Sequence, residues 1–285
     1  MQALVEVFRL YTDYFLALLL SLPRLYAFLS ASQLLNSAAV PMMPRTATIL
    51  SLALIAAPIN LDYAMSFDHS AAALALYFAK EYAVGFLAGY VVGWMFWAIQ
   101  AAGGLIDSQR GAAVASAIDP LQGEETSLLG TLLSQAFLTY VLSTGAFLLV
   151  LGVVFKSYAI WPATKAIPIA SDLFPGMALG LVDVAMRMAF VTAAPVLAVM
   201  FLAEFALAIV SRFSPQVQVF VLAMPIKSVL AILVLVFYAP TLMPFVERQF
   251  ASFERNVGQM YGLLKLGDRI GPPATATEPA AGGRK

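Results

Sequence analysis

The chain has 285 residues, of which 61% are hydrophobic and 11% charged, and its formal net charge at pH 7 is zero. A soluble domain of this length needs a much larger charged surface, so the composition indicates an integral membrane protein or a subunit embedded in a membrane complex. The zero net charge gives no indication of nucleic-acid binding. The absence of cysteine excludes disulfides and thiolate metal sites, and the single histidine, His69, excludes sites built from two histidines.

Apolar segments alternate with polar stretches along most of the chain. A membrane-spanning helix needs about 20 predominantly apolar residues, and only the second segment is clearly too short. Nearly every segment contains a proline or a charged residue, which is unfavourable in a helix surrounded by lipid, so we expect these helices to pack against other protein. The segments are residues 14–31, 47–59, 71–102, 128–155, 176–210 and 217–245.

Pro23 and Arg24 interrupt the first apolar segment. The proline predicts a kinked helix. Arg24 has two interpretations: its guanidinium reaches the lipid headgroups, or it packs as a buried charge inside a complex. The following residues 36–45, which contain Pro41 and Pro44, are predicted to form a loop or the turn of a broken helix.

Three glycines in the third apolar segment, Gly85, Gly89 and Gly93, recur at four-residue spacing. On a helix this spacing places them on one face, where another backbone can approach closely. Local flexibility is the alternative, because glycine is frequent in membrane helices. The regular spacing favours a helix-packing face.

The helix that carries these glycines is predicted to break at Gly103–Gly104 into a polar, turn-rich loop before the next apolar segment begins. Polar groups between two segments of this hydrophobicity need a wet or protein-lined environment. This stretch is therefore the strongest indication of function in the chain. Its polar residues include Asp107, Gln109, Arg110, Asp119, Glu124 and Glu125.

Charged residues in the fifth segment permit a transporter interpretation. Asp183 and Arg187 are spaced i, i+4 and are predicted to form an intrahelical ion pair, which lowers the cost of burying either charge. Together with Glu204 they would form the intramembrane site of a secondary transporter. The internal repeat that many transporters contain is not evident, which counts against this alternative.

The C-terminal segment, residues 247–285, has a soluble composition, and its Pro/Ala/Gly-rich end from about residue 271 is predicted to be disordered. Basic residues outnumber acidic ones in this segment, so the positive-inside rule predicts a cytoplasmic C-terminus. Residues 1–246 are expected to form one membrane-embedded helical domain.

No pattern typical of an enzyme is present in the sequence, which lacks a P-loop, a G-x-S-x-G motif and metal-ligand spacing. Glu124 and Glu125 are predicted to lie in a solvated turn or at a helix N-terminus rather than to act as a catalytic pair. His69 is predicted to be an ordinary loop residue, with a proton relay as the alternative. We expect no catalysis and no cofactor.

Two ordered blocks of residues resemble the SctT family, which is also called YscT, SpaR or HrcT. The first block is the run GLIDSQRG at residues 104–111, followed by Ala115, Asp119-Pro120, Gly123 and Ser127. The second block contains Pro195, Glu204, Leu207, Arg212, Ser214-Pro215-Gln216, Val219-Phe220 and Pro225-Ile226-Lys227. The resemblance covers roughly residues 14–246, and the ID-x-QRG run favours the virulence-type branch over the related flagellar FliR proteins.

Members of this family are minor components of the export gate of type III secretion systems. The resemblance implies an all-α membrane protein of kinked helical hairpins, similar to an SctR-like and an SctS-like unit joined in one chain. It implies a non-enzymatic subunit, present in a single copy, that assembles with several copies of SctR and SctS into a helical complex in the bacterial inner membrane. SctU and SctV would lie nearby, and unfolded secreted proteins would be the substrates.

The resemblance also implies that the loop after the glycine-rich helix is the channel plug, which we place at about residues 110–126. Its small side chains fit a narrow pore and make few deep contacts, which would allow the plug to move when substrate arrives. An ordinary linker between helices is the alternative. The predicted plug residues are Arg110, Gly111, Ala112, Ala113, Ala115, Ala117, Asp119 and Pro120.

Five charged residues are predicted to lie at subunit interfaces or to make buried polar contacts, and Arg110 is a further candidate for such a contact. A lone buried charge is strongly unfavourable, so each needs a partner in the assembly if the chain itself does not supply one. These residues are Glu81, Asp107, Glu204, Arg212 and Lys227.

Overall fold

The chain forms a helical array, seen in a computed structural model that describes residues 2–35, 40–67, 70–111, 127–164, 173–213 and 222–242. Within these ranges the regular structure is entirely helical, as the sequence predicts for an all-α membrane protein. The helices are α1 (Gln2–Ala31), α2 (Met42–Ala56), α3 (Leu61–Met65), α4 (Ala71–Arg110), α5 (Leu128–Ser143), α6 (Ala146–Ile160), α7 (Leu173–Phe213) and α8 (Leu222–Leu242).

Five helical stretches in the described part of the chain are long and apolar enough to cross a membrane, and the bent pair α5–α6 raises that number to six. The second of these differs from the sequence prediction. Helix α2 begins at Met42, and a 3₁₀ turn at Ala57–Asn60 joins it to α3, so Met42–Met65 provides 24 residues. The predicted loop at 36–45 is therefore too long at its C-terminal end, because a proline in the first helical turn is tolerated.

Helix α4 lies at the centre of the packing, and it contradicts the predicted break at Gly103–Gly104. Its 40 residues span about 60 Å and continue to Arg110. A methyl group on Gly103 would overlap the backbone of Gly130 in α5. The glycine therefore permits a close helix crossing and does not end the helix. The actual end is Gly111, whose φ of 92° lies in the left-handed region that glycine adopts readily.

The apolar segment 128–155 is two helices and not one. Helices α5 and α6 meet at an angle of 83°. Gly145 lies between them with a φ of 75°, which is a backbone conformation that few other residues accept. The hydrophobic pattern is continuous through this bend, so only the glycine marks it.

The main core lies between α4 and the helices around it. Helix α4 packs against α1, α5, α6 and α7, and its central residues are almost completely buried. The outer helices α7 and α8 are much more exposed than α4. Only 17% of the residues in the most apolar stretch of α7 are buried, and only 11% in that of α8. Their bare apolar faces require lipid or other protein as a covering. Large buried residues of the core include Leu25, Phe28, Trp94, Ile99 and Val154.

Gly85, Gly89 and Gly93 lie where α4 crosses α1. A methyl group on each glycine would overlap a backbone carbonyl oxygen of α1, belonging to Arg24, Phe28 and Ala31 respectively. These carbonyls are part of the helix and cannot turn aside as a flexible side chain can. The two backbones therefore approach more closely than any other residue type would allow.

We expect the substitution Gly85→Ala to lower the thermal stability of the protein in detergent, because the added methyl group overlaps the α1 backbone at Arg24. Overpacking of this kind typically costs ~1–3 kcal/mol. Gly152→Ala, in α6, is the matched control, because a methyl group there meets nothing within 4 Å. Equal melting temperatures for the two variants would show that the close crossing is not required.

Candidate functional site

A buried ion pair joins α1 to α4. The Arg24 Nε lies 2.6 Å from Oε2 of Glu81, and Nη2 lies 3.0 Å from Oε1, so the guanidinium and carboxylate form a bidentate pair. Both side chains are 0% exposed. This burial excludes the interpretation in which Arg24 reaches the lipid headgroups. Arg24 is instead a packed charge whose partner belongs to its own chain.

The remaining donors of Arg24 bind the end of α6. Nη1 donates to Ser157 Oγ at 3.2 Å, and Nη2 donates to the carbonyl oxygen of Trp161 at 2.8 Å. The guanidinium also lies 4.1 Å from the centre of the Tyr158 ring, within the range of a cation–π contact. One arginine therefore holds α1, α4 and α6 together.

Lys80 adds a second positive charge to this cluster. Its Nζ lies 3.1 Å from Oε1 of Glu81 and donates to the carbonyl oxygen of Ala163 at 2.6 Å. We call Arg24, Lys80 and Glu81 the buried triad. Its charged groups have partners within the chain, so the triad needs no neighbouring subunit to satisfy it.

Asp107 forms a second polar contact near the end of α4. Its Oδ2 accepts hydrogen bonds from Ser127 Oγ at 2.7 Å and from the backbone N–H of Leu129 at 2.9 Å, at the start of α5. Its Oδ1 lies 2.8 Å from Arg110 Nε, but the two are not aligned as a hydrogen bond, so the contact is an ion pair only. Ser127 also caps α5 by accepting from Gly130 N at 2.8 Å.

The outer helices reach the same end of α4 through a third group of contacts. Lys227 Nζ, on α8, lies 2.9 Å from Oε2 of Glu204 on α7 and 3.5 Å from the carbonyl oxygen of Gln109. Gln109 Nε2 donates to the same Glu204 oxygen at 3.3 Å. We call Asp107, Gln109, Ser127, Glu204 and Lys227 the α4 junction. Helices α4, α5, α7 and α8 all meet there.

The α4 junction lies at the N-terminal end of the predicted plug. Arg110 and Gly111 are described, whereas Ala112, Ala113, Ala115, Ala117, Asp119 and Pro120 lie outside the described residues. His69, Glu124 and Glu125 also lie outside them. Arg212 is exposed near the end of α7. Its predicted contact with another subunit stays a prediction.

The residues of the transporter alternative do not come together. Asp183 and Arg187 are both exposed, and the predicted ion pair between them is not found among the contacts of the described residues. Glu204 is 21 residues further along the same helix, which is about 30 Å at 1.5 Å per residue. It pairs with Lys227 instead. In the described ranges no group of three or more His, Asp or Glu residues is arranged to hold a metal ion.

Sequence reasoning identified Glu81, Asp107, Glu204 and Lys227 as polar residues in need of partners, but not which residues pair. Arg24 and Glu81 are 57 positions apart, and no local spacing connects residues at that separation. Ser127 can be recognised from the sequence as a candidate N-cap, whereas nothing in the sequence indicates the contact of Gln109 with Glu204. A serine directly before an apolar helix is a typical N-cap, which places its hydroxyl near the preceding helix.

Glu81→Gln leaves two buried cations without a countercharge. Loss of one partner of a buried ion pair costs ~3–5 kcal/mol, so we expect little folded protein and a clearly lower melting temperature in detergent. Asp183→Asn is the control, because it removes an exposed carboxylate and such changes stay within ~0.5 kcal/mol. A wild-type melting temperature for Glu81→Gln would contradict the account of the triad.

Asp107→Ala removes the acceptor of the Leu129 amide hydrogen. Hydrogen bonds to charged groups contribute ~1.5–3 kcal/mol, so we expect faster hydrogen–deuterium exchange at the start of α5. Exchange at the α1–α4 crossing is expected to stay unchanged. Asp62→Ala, an exposed acidic residue of α3, serves as the control. Unchanged exchange at Leu129 would show that Asp107 does not hold α5.

Comparison with known proteins gives consistent matches over most of the chain. The family described as bacterial export proteins, family 1, matches residues 15–253. Yop proteins translocation protein T of Yersinia pestis is 42% identical over 201 residues, which cover 70% of this chain and 76% of the relative. Surface presentation of antigens protein SpaR of Salmonella typhimurium is 33% identical over 211 residues, covering 74% and 78% of the two chains.

One flagellar relative matches over a longer stretch at lower identity. Flagellar biosynthetic protein FliR of Bacillus subtilis is 30% identical over 256 residues, which cover 89% of this chain and 96% of the relative. These matches confirm the resemblance that the two sequence blocks indicated. The chain therefore belongs to the family of bacterial export proteins that contains the Yersinia translocation protein T, SpaR and FliR.

Proposed function

We propose that this chain is an export-gate subunit of a type III protein secretion system, which forms and plugs the channel that passes unfolded substrates across the inner membrane. Membership in a bacterial export family supports this function. So do the names of two relatives, which refer to translocation of Yop proteins and to a secretion system apparatus. The long apolar helices support a location in the bacterial inner membrane.

The observation that carries the proposal is the α4 junction. Four helices meet at the end of α4, directly before the stretch that the family resemblance assigns to the plug. A plug must be attached to a firm support if it is to close a channel reproducibly. The buried Asp107 contact and the close crossing of Gly103 with Gly130 provide such a support.

The bare faces of α7 and α8 support assembly with other subunits. Apolar surface of this extent must be covered by lipid or protein, and the exposed charges of Asp183, Arg187 and Arg212 are unfavourable against lipid alone. The proposed partners are homologues of SctR and SctS, with SctU and SctV nearby. The C-terminal segment would face the cytoplasm, and the subunit would act without catalysis or a cofactor.

Deleting residues 111–117 is expected to make the assembled gate leak ions, because the small residues that fill the pore are lost. Ion leakage is measured as dye or potassium efflux from cells that express the complete gate. Deleting residues 271–285 is the control, since the predicted disordered tail lies outside the residues that resemble the family. An unchanged permeability in the first variant would reject the plug.

Arg212→Ala is expected to lower the recovery of assembled gate on co-purification, because the exposed arginine loses its contact with a neighbouring subunit. Arg212→Lys keeps the positive charge and is expected to recover more complex than the alanine variant. Normal assembly with only secretion lost would instead place Arg212 in the conduction path.

A further inference from the structure

The α4 junction contains two polar joints that differ in their exposure to solvent. One joins the end of α4 to α5 through Asp107. The other joins it to α7 and α8 through Glu204 and Lys227. Both joints hold the same end of α4. The weaker joint therefore determines which helices can move away from that end while the remaining helices stay packed.

The joint at Asp107 is the firmer of the two. Asp107 is 4% exposed, and its carboxylate accepts two hydrogen bonds and pairs with Arg110. Breaking it would leave the buried N–H of Leu129 without a partner and the buried carboxylate with Arg110 alone, which is costly at low dielectric. The adjacent contact of Gly103 with the Gly130 backbone fixes α4 against α5 in the same place.

The joint at Glu204 and Lys227 is much easier to open. The Glu204 side chain is 51% exposed, so water can replace its partners as the pair separates, whereas the Lys227 side chain is 10% exposed and gains access to water only as α8 moves away. An ion pair that is open to water on one side is weakened by solvent screening. The helix that carries Lys227 has few other contacts within the chain, the main ones being made by Ala231, Val234 and Leu235. Met224 lies beside Gly111, where a methyl group added to the glycine would come within 3.6 Å of the methionine side chain.

We propose that the Glu204–Lys227 ion pair is a latch that opens when the gate conducts, while the Asp107 joint stays closed. Helix α8 then moves away from the end of α4, and α5 remains attached to it. This proposal rests on the proposed function as a gate subunit and adds the joint at which the gate moves. Glu204 and Lys227 would then regulate the gate in addition to joining two helices.

Cross-linking tests the movement directly, since the chain has no cysteine and an introduced pair is unambiguous. In the variant Glu204→Cys/Lys227→Cys, a short reducible bis-thiosulfonate reagent ties α7 to α8 within the assembled gate. We expect secretion to fall to background while the link is intact and to return after reduction. Each single cysteine variant is the control, and its secretion before and after the same reagent measures the effect of labelling without a link. Full secretion through completely cross-linked gates would overturn the proposal.

A charge exchange tests the ion pair without a reagent. Glu204→Lys and Lys227→Glu each place like charges together, and we expect a ~2- to 5-fold rise in ion leakage, as for the loss of a weak ion pair. The double variant Glu204→Lys/Lys227→Glu restores the pair and should leak as little as wild type. Single variants that leak no more than wild type, or a double variant that leaks more than both, would overturn the latch.

The two proposals fail in different ways. If the wild-type chain does not co-purify with SctR and SctS homologues, the proposed function is wrong and the latch is wrong with it. If the wild-type gate assembles and secretes but the cross-link and the charge exchange have no effect, only the latch is wrong. The Asp107→Asn variant tests the two joints separately. Loss of the Asp107 charge should loosen α5, and a charge exchange at Glu204 and Lys227 should not reverse that effect.

Discussion

Three charged side chains are buried where α1 packs against α4, and the packing of these two helices depends on how the three charges pair. A charge buried alone in a membrane-embedded protein is strongly unfavourable, so Arg24, Lys80 and Glu81 must meet in one arrangement. That arrangement fixes the register of α1 along α4. The three glycines that begin one turn after Glu81 then bring the two backbones into direct contact over the next two turns.

The two ends of α4 therefore differ in the helices that they hold and in how firmly they hold them. The triad end is closed within the chain and holds α1 and the end of α6, which suits a static support. The other end gathers α5, α7 and α8 through Asp107 and the Glu204–Lys227 pair. The stretch of α4 between these two places is buried against its neighbours, and the apolar surface of the outer helices is left for lipid or neighbouring subunits. The proposed role in a gate requires this combination of a rigid support and a weakly held edge.

The all-helical class, the apolar segments and the family could be predicted from the sequence, because they depend on composition, on local hydropathy and on two contiguous motif blocks. The glycine spacing likewise indicated a packing face before its partner was known. The pairing of Arg24 with Glu81 could not be predicted, since it depends on the tertiary crossing of segments 57 positions apart. The expected break at Gly103–Gly104 was wrong because a glycine in a helix can serve a close crossing as well as a turn. The bend at Gly145 was missed because the apolar pattern runs through it.

The central claim is that this chain works as one part of a larger gate. The most direct test is co-expression with candidate SctR and SctS homologues, purification through a tag on this chain, and native mass spectrometry of the product. The account predicts one copy of this chain in a stable particle that contains several copies of each partner. A monomer or homodimer that binds neither partner would contradict it.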